Sequence, residues 1–522
     1  MSYLVAKRLV SRQRIDLSQT HRYLNTQATR PTKPSIKWSN MIPRPSVWRA
    51  TVYEHYTKGP PAKSWPLSYH LLIATIRDFL DRGCLSTVEQ AQYLTNSIKN
   101  PIPSGFKETP AIIPSSYRTQ AGDNLSQLLS LRDQRKIGWD WQSDRQNASS
   151  LEGEWMEKDG QDDQNSPVVY YLHGGAYYLC SFGMYRRFIS DILKGSNARS
   201  FAIDYRLAPQ HPFPTAVEDA LAGYLYLINP PPDAGFSPVD PKKIVIAGDS
   251  SGGGLTLALL MAIRDARLPP PAGAMPLSPW TDLTHSLPSI LSNAATDYLP
   301  KLGFKHAESP ALDYSVLPKL KHNEDDHEEI SIGPFGKKID LSEVTKEDMD
   351  RIQFYTNNAS IKLSLASPAF DKKDLHGLPK LLIQVGLAER LRDESIYVAL
   401  KASGKYPGAS DYKSKLPSTP VTLEIYEDQP HVFQILIPTK ASKCANSRLA
   451  KFVIEATQPD QKEQESKDES LVAIQITPEG EHKDVTQDLL ERMTLGKWDE
   501  WEARLARPSL LERLKEMQEK LS

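Results

Sequence analysis

Between about residues 153 and 456, short unbroken apolar runs alternate with longer stretches in which apolar residues recur every three or four positions. The runs are Pro167–His173, Phe201–Tyr205, Ile244–Ala247, Ala272–Leu277, Leu381–Val385 and Val421–Tyr426. Having no polar alternation, they predict strands buried on both faces. The 3.6-residue spacing between them predicts helices over Thr215–Leu227, Leu255–Arg264 and Asp393–Ala402, and a last one ending near Ile454. Thr215 reads as an N-cap, with Glu218 three residues on. This β-α-β rhythm predicts the α/β class, a doubly wound, mostly parallel sheet with helices on both faces.

The flanks follow other patterns. Leu67–Leu80 carries Leu72, Ile76, Phe79 and Leu80 at helical spacing, and reads as a helix packed on the core, with a membrane- or substrate-facing helix as the alternative. Thr87–Ile98 and Leu125–Leu131 are further helix candidates, and Pro101–Pro114 reads as extended. Residues 62–150 are therefore expected to form a helical N-terminal extension, as a cap over a site or as plain packing. Prolines 31, 34, 43 and 45, with Gly59-Pro60-Pro61, argue against regular structure over residues 1–61. The rhythm lapses at about 300–362, where charged residues 322–329 and the acidic, helix-like Ser342–Ile352 read as a surface insertion. The catalytic domain is thus expected over 151–457. Gln458–Ser470 has linker composition, and Val485–Leu505 and Ser509–Leu521 read as C-terminal helices.

Composition adds limits. A formal net charge of -1 over 522 residues gives no reason to expect a nucleic-acid surface. Cys84, Cys180 and Cys444 form no metal motif and leave one thiol unpaired in any disulfide scheme, which favours a reducing compartment. No run reaches membrane-spanning length, although lipid association at the periphery stays open. Residues 1–50 hold ten Lys or Arg and one acid, Asp16. A cytoplasmic location is expected, with mitochondrial targeting the alternative for this basic start.

The chemistry concentrates at Lys243–Gly254 (KIVIAGDSSGGG), which reads as strand, sharp turn and helix with Ser250 at the turn. Gly248 and Gly252 stand two places before and two after it, where strand and helix must approach closely. The stretch also resembles the serine region of chymotrypsin-like proteases, but an extra serine breaks that motif. A phosphate-binding turn lacks both a following lysine and dinucleotide spacing. A nucleophilic serine needs a base, an acid to orient it, and N–H donors for the oxyanion. Downstream, post-strand loops offer Glu389 and Asp393, then His431, in the order serine, acid, histidine.

Four motifs together resemble the hormone-sensitive-lipase-like family of α/β-hydrolases (the fold-3 type of esterase and lipase). They are His173-Gly174-Gly175, Asp204-Tyr205-Arg206-Leu207-Ala208-Pro209, Gly248-Asp249-Ser250-Ser251-Gly252-Gly253 and His431-Val432-Phe433. The resemblance implies Ser250 as nucleophile and His431 as general base, then acid. It places the family's acid on Glu389, with Asp393 in reserve. It implies an oxyanion hole around Gly174, Gly175 and Ala176, with Ser251 as a further donor; Ala176 stands where many members have glycine. His173 would brace the oxyanion loop and Asp249 would fix the turn. Arg206 and Asp219 read as structural, and Asp282, Asn293 and Asp297 match family positions without assigned chemistry. The expected activity is metal-free, cofactor-free hydrolysis of a small apolar ester through an acyl-enzyme. A silent hydrolase-fold protein binding an apolar ligand is the alternative. Acyl length, alcohol and oligomeric state are not written in the sequence.

Overall fold

Ten strands form one central sheet: β1 (Phe106–Ile113), β2 (Leu151–Lys158), β3 (Val168–Leu172), β4 (Arg199–Ile203), β5 (Ile244–Asp249), β6 (Gly273–Leu277), β7 (Leu381–Gly386), β8 (Val421–Tyr426), β9 (Leu471–Ile476) and β10 (His482–Asp484). Their order is β1-β2-β4-β3-β5-β6-β7-β8-β9-β10. From β4 to β9 every neighbouring pair is parallel; β1–β2, β2–β4 and β9–β10 are antiparallel. The computed structural model describes residues 43–144, 150–161, 164–301, 303–319, 353–409, 415–458 and 470–507, together with 331–332, 337–338, 516 and 519–520.

The apolar runs became strands because each has two faces to bury. In β3, Val168, Tyr170 and Leu172 point into one core with the helices Thr215–Ile228 and Ser251–Asp265. Val169 and Tyr171 point into the other, with Arg186–Ser196 and Lys440–Thr457. β5 divides in the same way, Ile244 and Ile246 against Val245 and Ala247. At about 1.5–3 kcal/mol for each large apolar side chain removed from water, this two-sided burial holds the strand ends in place. Ser251–Ile263 is buried at every position, so the helix after Ser250 is held inside the protein.

Several expectations change. A helix, Pro45–Thr57, lies in the stretch expected to lack regular structure. Its proline occupies the first turn, where the missing N–H costs nothing. Thr215 is the first helical residue behind Pro214, and its side chain makes no cap; Glu218 pairs with Arg206 instead. Pro101–Pro114 is extended as expected and contains edge strand β1, whereas the helix expected at Leu125–Leu131 is two, Ser115–Leu128 and Leu131–Ile137. A Ser130–Asp133 capping box starts the second. The C-terminal segment contributes β9 and β10 to the sheet as well as the helices Thr486–Arg492 and Trp498–Ala506, which are parted at Gly496. The acidic piece Ser342–Ile352, residues 322–329 and most of Ser509–Leu521 lie outside the described residues, as does the chain before residue 43.

The helix Leu67–Asp81 forms as expected, and its apolar stripe answers to both readings. Tyr69 and Ile73 pack in a small cluster with Ala62 and Trp65, while Ile76, Phe79 and Leu80 line the cavity above the sheet. An apolar stripe is satisfied equally by a core and by a pocket wall, so periodicity could not separate the two.

Candidate active site

Ser250, Glu389 and His431 lie on loops at the carboxyl ends of β5, β7 and β8, where parallel sheets of this kind present their ligands. Ser250 sits at φ 54°, ψ −121°, a strained conformation for a residue with a side chain. Its surroundings leave no alternative path. A Cβ on Gly248 would meet Gly252 O at 2.3 Å, and one on Gly252 would meet Leu172 O at 2.1 Å. The strand-to-helix approach therefore requires both glycines. Trp280 N–H and Gly254 N–H donate to Ser250 O, and Ser250 N–H donates to Leu277 O.

His431 Nε2 stands 2.8 Å from Ser250 Oγ, and its Nδ1 stands 3.4 Å from Glu389 Oε1. An ionised carboxylate only accepts, so Nδ1 carries the proton and Nε2 is left to accept from the serine hydroxyl. Both partners are buried. Burial works against the imidazolium, but the Glu389 carboxylate, joined by the charges of Asp297 and Asp249, outweighs it and the histidine pKa is raised. Burial raises that of Glu389, and its contacts to His431 and Ser278 limit the rise. Glu389 Oε2 accepts from Ser278 Oγ and from Gly386 N–H, each at 2.7 Å. Asp393 is engaged elsewhere, accepting from Ser289 N–H at 3.0 Å and from Arg392 Nε at 2.8 Å. The structure thus brings Glu389, and not the reserve candidate, to the histidine.

The loop after β3 supplies the remaining donors. Gly174 N–H is taken: it donates to Asp249 Oδ1 at 2.9 Å, which removes Gly174 from the expected oxyanion donors. Gly175 (φ 111°) and Ala176 (φ 53°) follow in left-handed conformations, and among the described residues their N–H groups donate to no backbone carbonyl. Ser251 is the first residue of its helix, where an N–H has no intrahelical partner. Its Oγ accepts from Tyr177 N–H at 3.1 Å, tying the two loops together. Asp249 accepts from Tyr171 O–H as well, at 2.6 Å, and desolvation lifts its carboxyl to about 6. His173 stacks on Tyr205 with ring centroids 4.3 Å apart and bonds Gly174 O through Nδ1 at 2.7 Å. Complete burial lowers its pKa to about 4, so it is neutral and structural.

Arg206 spans Asp144, Glu218 and Asp219. Asn293 donates to Glu389 O at 2.8 Å, Asp297 Oδ2 accepts from Arg390 N–H at 2.6 Å, and Asp282 accepts from its own turn. Ser278, Tyr171 and Arg390 carried no signal in the sequence beyond their place beside a motif. Arg390 nonetheless pins the acid loop, donating to Ile290 O and Pro300 O.

Above Ser250 and His431 lies a cavity of about 300 Å³, walled by Ile76, Phe79, Tyr178, Leu179, Trp280 and Phe354 among others. Among the described residues no group of three or more His, Cys, Asp or Glu is placed to hold a metal ion, and no helix is long and apolar enough to cross a membrane.

Residues 169–302 match a family model described as the alpha/beta hydrolase fold. An acetyl-hydrolase of Streptomyces hygroscopicus is 32% identical over 280 residues, covering 54% of this chain and 71% of the relative. An esterase of Acinetobacter venetianus is 28% identical over 44% of this chain and 58% of its own length. Among solved structures, an esterase/lipase from an uncultured bacterium is 25% identical, with a TM-score of 0.46 over 79% of this chain and 99% of that one.

Proposed function

The chain belongs to the alpha/beta hydrolase fold family, and from that premise we propose that it is a serine carboxylic-ester hydrolase acting on small apolar esters. The observation that carries the reading is the 2.8 Å approach of His431 Nε2 to Ser250 Oγ, on a serine whose backbone is strained so as to present it. A hydrogen bond of that length lets the imidazole take the hydroxyl proton as Oγ attacks the ester carbonyl. Glu389 fixes the ring through Nδ1 and balances the imidazolium that forms. The oxyanion is held by the N–H groups of Gly175, Ala176 and Ser251, fixed dipoles that need no reorganisation when charge develops. As the tetrahedral adduct collapses, His431 returns its proton to the departing alcohol. Water then attacks the acyl-enzyme with the same base assisting, and the acid leaves. The apolar walls supply the preference for an apolar acyl or alkyl group.

Hydrolysis of short- and medium-chain p-nitrophenyl esters by the wild type and by Ser250→Ala tests the reading. Losing the nucleophile is expected to lower kcat by a factor on the order of 10⁶. Equal background rates in two folded proteins would leave the apolar-ligand-binding alternative in its place.

A further inference from the structure

The helix Pro45–Thr57 wears its apolar side outward. Val47, Thr51 and His55 fall on one side of it and are buried or half-buried. Trp48, Val52, Tyr53 and Tyr56 fall within an arc of about 140° on the other, at 3.6 residues per turn. Those four are 49%, 36%, 69% and 74% exposed. Of the eleven large apolar side chains exposed among the described residues, four therefore stand on this one helix. An amphipathic helix ordinarily buries its apolar stripe; this one packs through its smaller side and leaves the stripe in solvent. Single exposed apolar residues need no explanation, but a contiguous row marks a contact surface.

The inner side is fastened to the helix Leu67–Asp81. Arg44 Nε donates to Asp78 Oδ1 at 2.8 Å, Trp48 Nε1 donates to Thr75 Oγ1 at 2.9 Å, and His55 Nδ1 lies 3.4 Å from His70 Nδ1. That second helix supplies Ile76, Phe79 and Leu80 to the wall of the catalytic cavity. The exposed row is thus borne on a helix that backs the cavity wall. Charge then selects the partner. Arg49 lies within the exposed arc, and Glu54 at its edge is paired with Lys58. Residues 1–50 hold ten Lys or Arg against Asp16 alone, and eight of the ten precede residue 43. Tyr and Trp, apolar rings with a polar atom at the edge, settle at a lipid–water boundary. A polybasic segment is drawn to the negative potential of an anionic leaflet. A protein partner would account for the rings but not for the one-sided charge that leads into them.

We propose that the outer face of Pro45–Thr57 docks on an anionic lipid surface. Trp48, Val52, Tyr53 and Tyr56 enter the headgroup region, and Arg49, with the basic chain before it, meets the lipid phosphates. The helix then lies in the plane of the interface, as surface-bound amphipathic helices do. Docking sets the helix pair that backs the catalytic cavity against the layer in which apolar esters dissolve. The binding step stands independently of the hydrolase reading above.

The test is flotation of the full chain with vesicles of phosphatidylcholine alone and of an equal mixture of phosphatidylcholine and phosphatidylserine. Binding to the mixed vesicles is expected, weakening as salt is raised. Replacing the two most exposed rings, Tyr53→Ser with Tyr56→Ser, is expected to lower the partition coefficient about tenfold or more, and Tyr53→Trp with Tyr56→Trp to raise it. Thermal unfolding midpoints of both variants should match the wild type, because neither ring is packed in the core. If the serine variant does not fold, the tryptophan variant decides. No binding to either vesicle, equal binding to both, or ring substitutions that leave binding unchanged overturn the inference. Self-association in sedimentation velocity that the serine variant abolishes, with vesicles ignored, also overturns it and makes the face a contact between protein chains.

Discussion

Ser278 Oγ donates to Glu389 Oε2 at 2.7 Å and accepts from Val432 N–H at 3.1 Å, so a single hydroxyl ties the acid to the loop that carries His431. Ser278 itself is held at φ 43° at the end of β6, beside the strand that carries Ser250. The three loops of the site are therefore coupled through a fully buried residue that does not line the cavity.

Ser278→Ala removes one donor and one acceptor from a fully buried position. The expected loss of stability is about 1–3 kcal/mol, from the Val432 N–H and the Glu389 oxygen left unpaired. Chemical denaturation reads that term. Turnover is expected to fall with KM unchanged, because the acid is displaced and the cavity is not.

Replacement of Glu389 by Gln retains the shape and removes the charge. A fall in kcat on the order of 10⁴ is expected, whereas Asp393→Asn should leave kcat within a few-fold of wild type. The acid limb of the pH–rate profile carries the sign. His431 acts only when neutral, and Glu389 raises its pKa, so wild-type activity should fall away below a midpoint lying above the ordinary histidine value of about 6.5. In Glu389→Gln that midpoint should move down. A midpoint that does not move would count against Glu389 as the partner.

His173 is expected to act on stability rather than on rate. Its pKa is lowered to about 4 by burial, against about 6.5 in the unfolded chain. The unfolded state therefore binds the proton first, and stability present above pH 6.5 is lost as pH falls toward 4, by about 3 kcal/mol in all. Urea midpoints between pH 4 and 7, compared with those of His173→Phe, should show this slope in the wild type only.

Gly252→Ala would set a Cβ 2.1 Å from Leu172 O and 2.6 Å from His173 O. Both are backbone atoms and cannot swing aside. A loss of about 3 kcal/mol or more is expected in thermal unfolding, with activity lost along with the turn geometry.

Ile76 and Phe79 line the cavity from the helix Leu67–Asp81. Ile76→Phe should shift the p-nitrophenyl ester preference toward shorter acyl chains, and Phe79→Ala toward longer ones, by about tenfold in kcat/KM between neighbours that differ by several methylenes. An unchanged chain-length profile in both would remove this helix from the substrate's path.

Much of this arrangement was legible in one dimension. Two-sided burial leaves unbroken apolar runs, so β3 to β8 could be read from hydrophobicity alone. The elbow around Ser250 announces itself because close strand–helix approach admits only glycine at Gly248 and Gly252. The order of Ser250, Glu389 and His431 follows from the order of the strands that carry them. Those properties are local, or repeat along the chain, and so survive in a string of letters.

Properties that depend on which segments meet were decided by the tertiary structure alone. Glu389 and Asp393 are both carboxylates on one loop; only the fold turns the first to His431 and gives the second to Ser289 and Arg392. Gly174 carries the same backbone N–H as Gly175, yet its donor is consumed by Asp249, 75 positions away. The stripe on Leu67–Asp81 could have faced a core or a cavity, and β9 could have been a tail rather than a strand beside β8. In each case periodicity and residue type allow two answers of similar local energy, and the choice falls to packing and hydrogen-bond partners brought from distant parts of the chain.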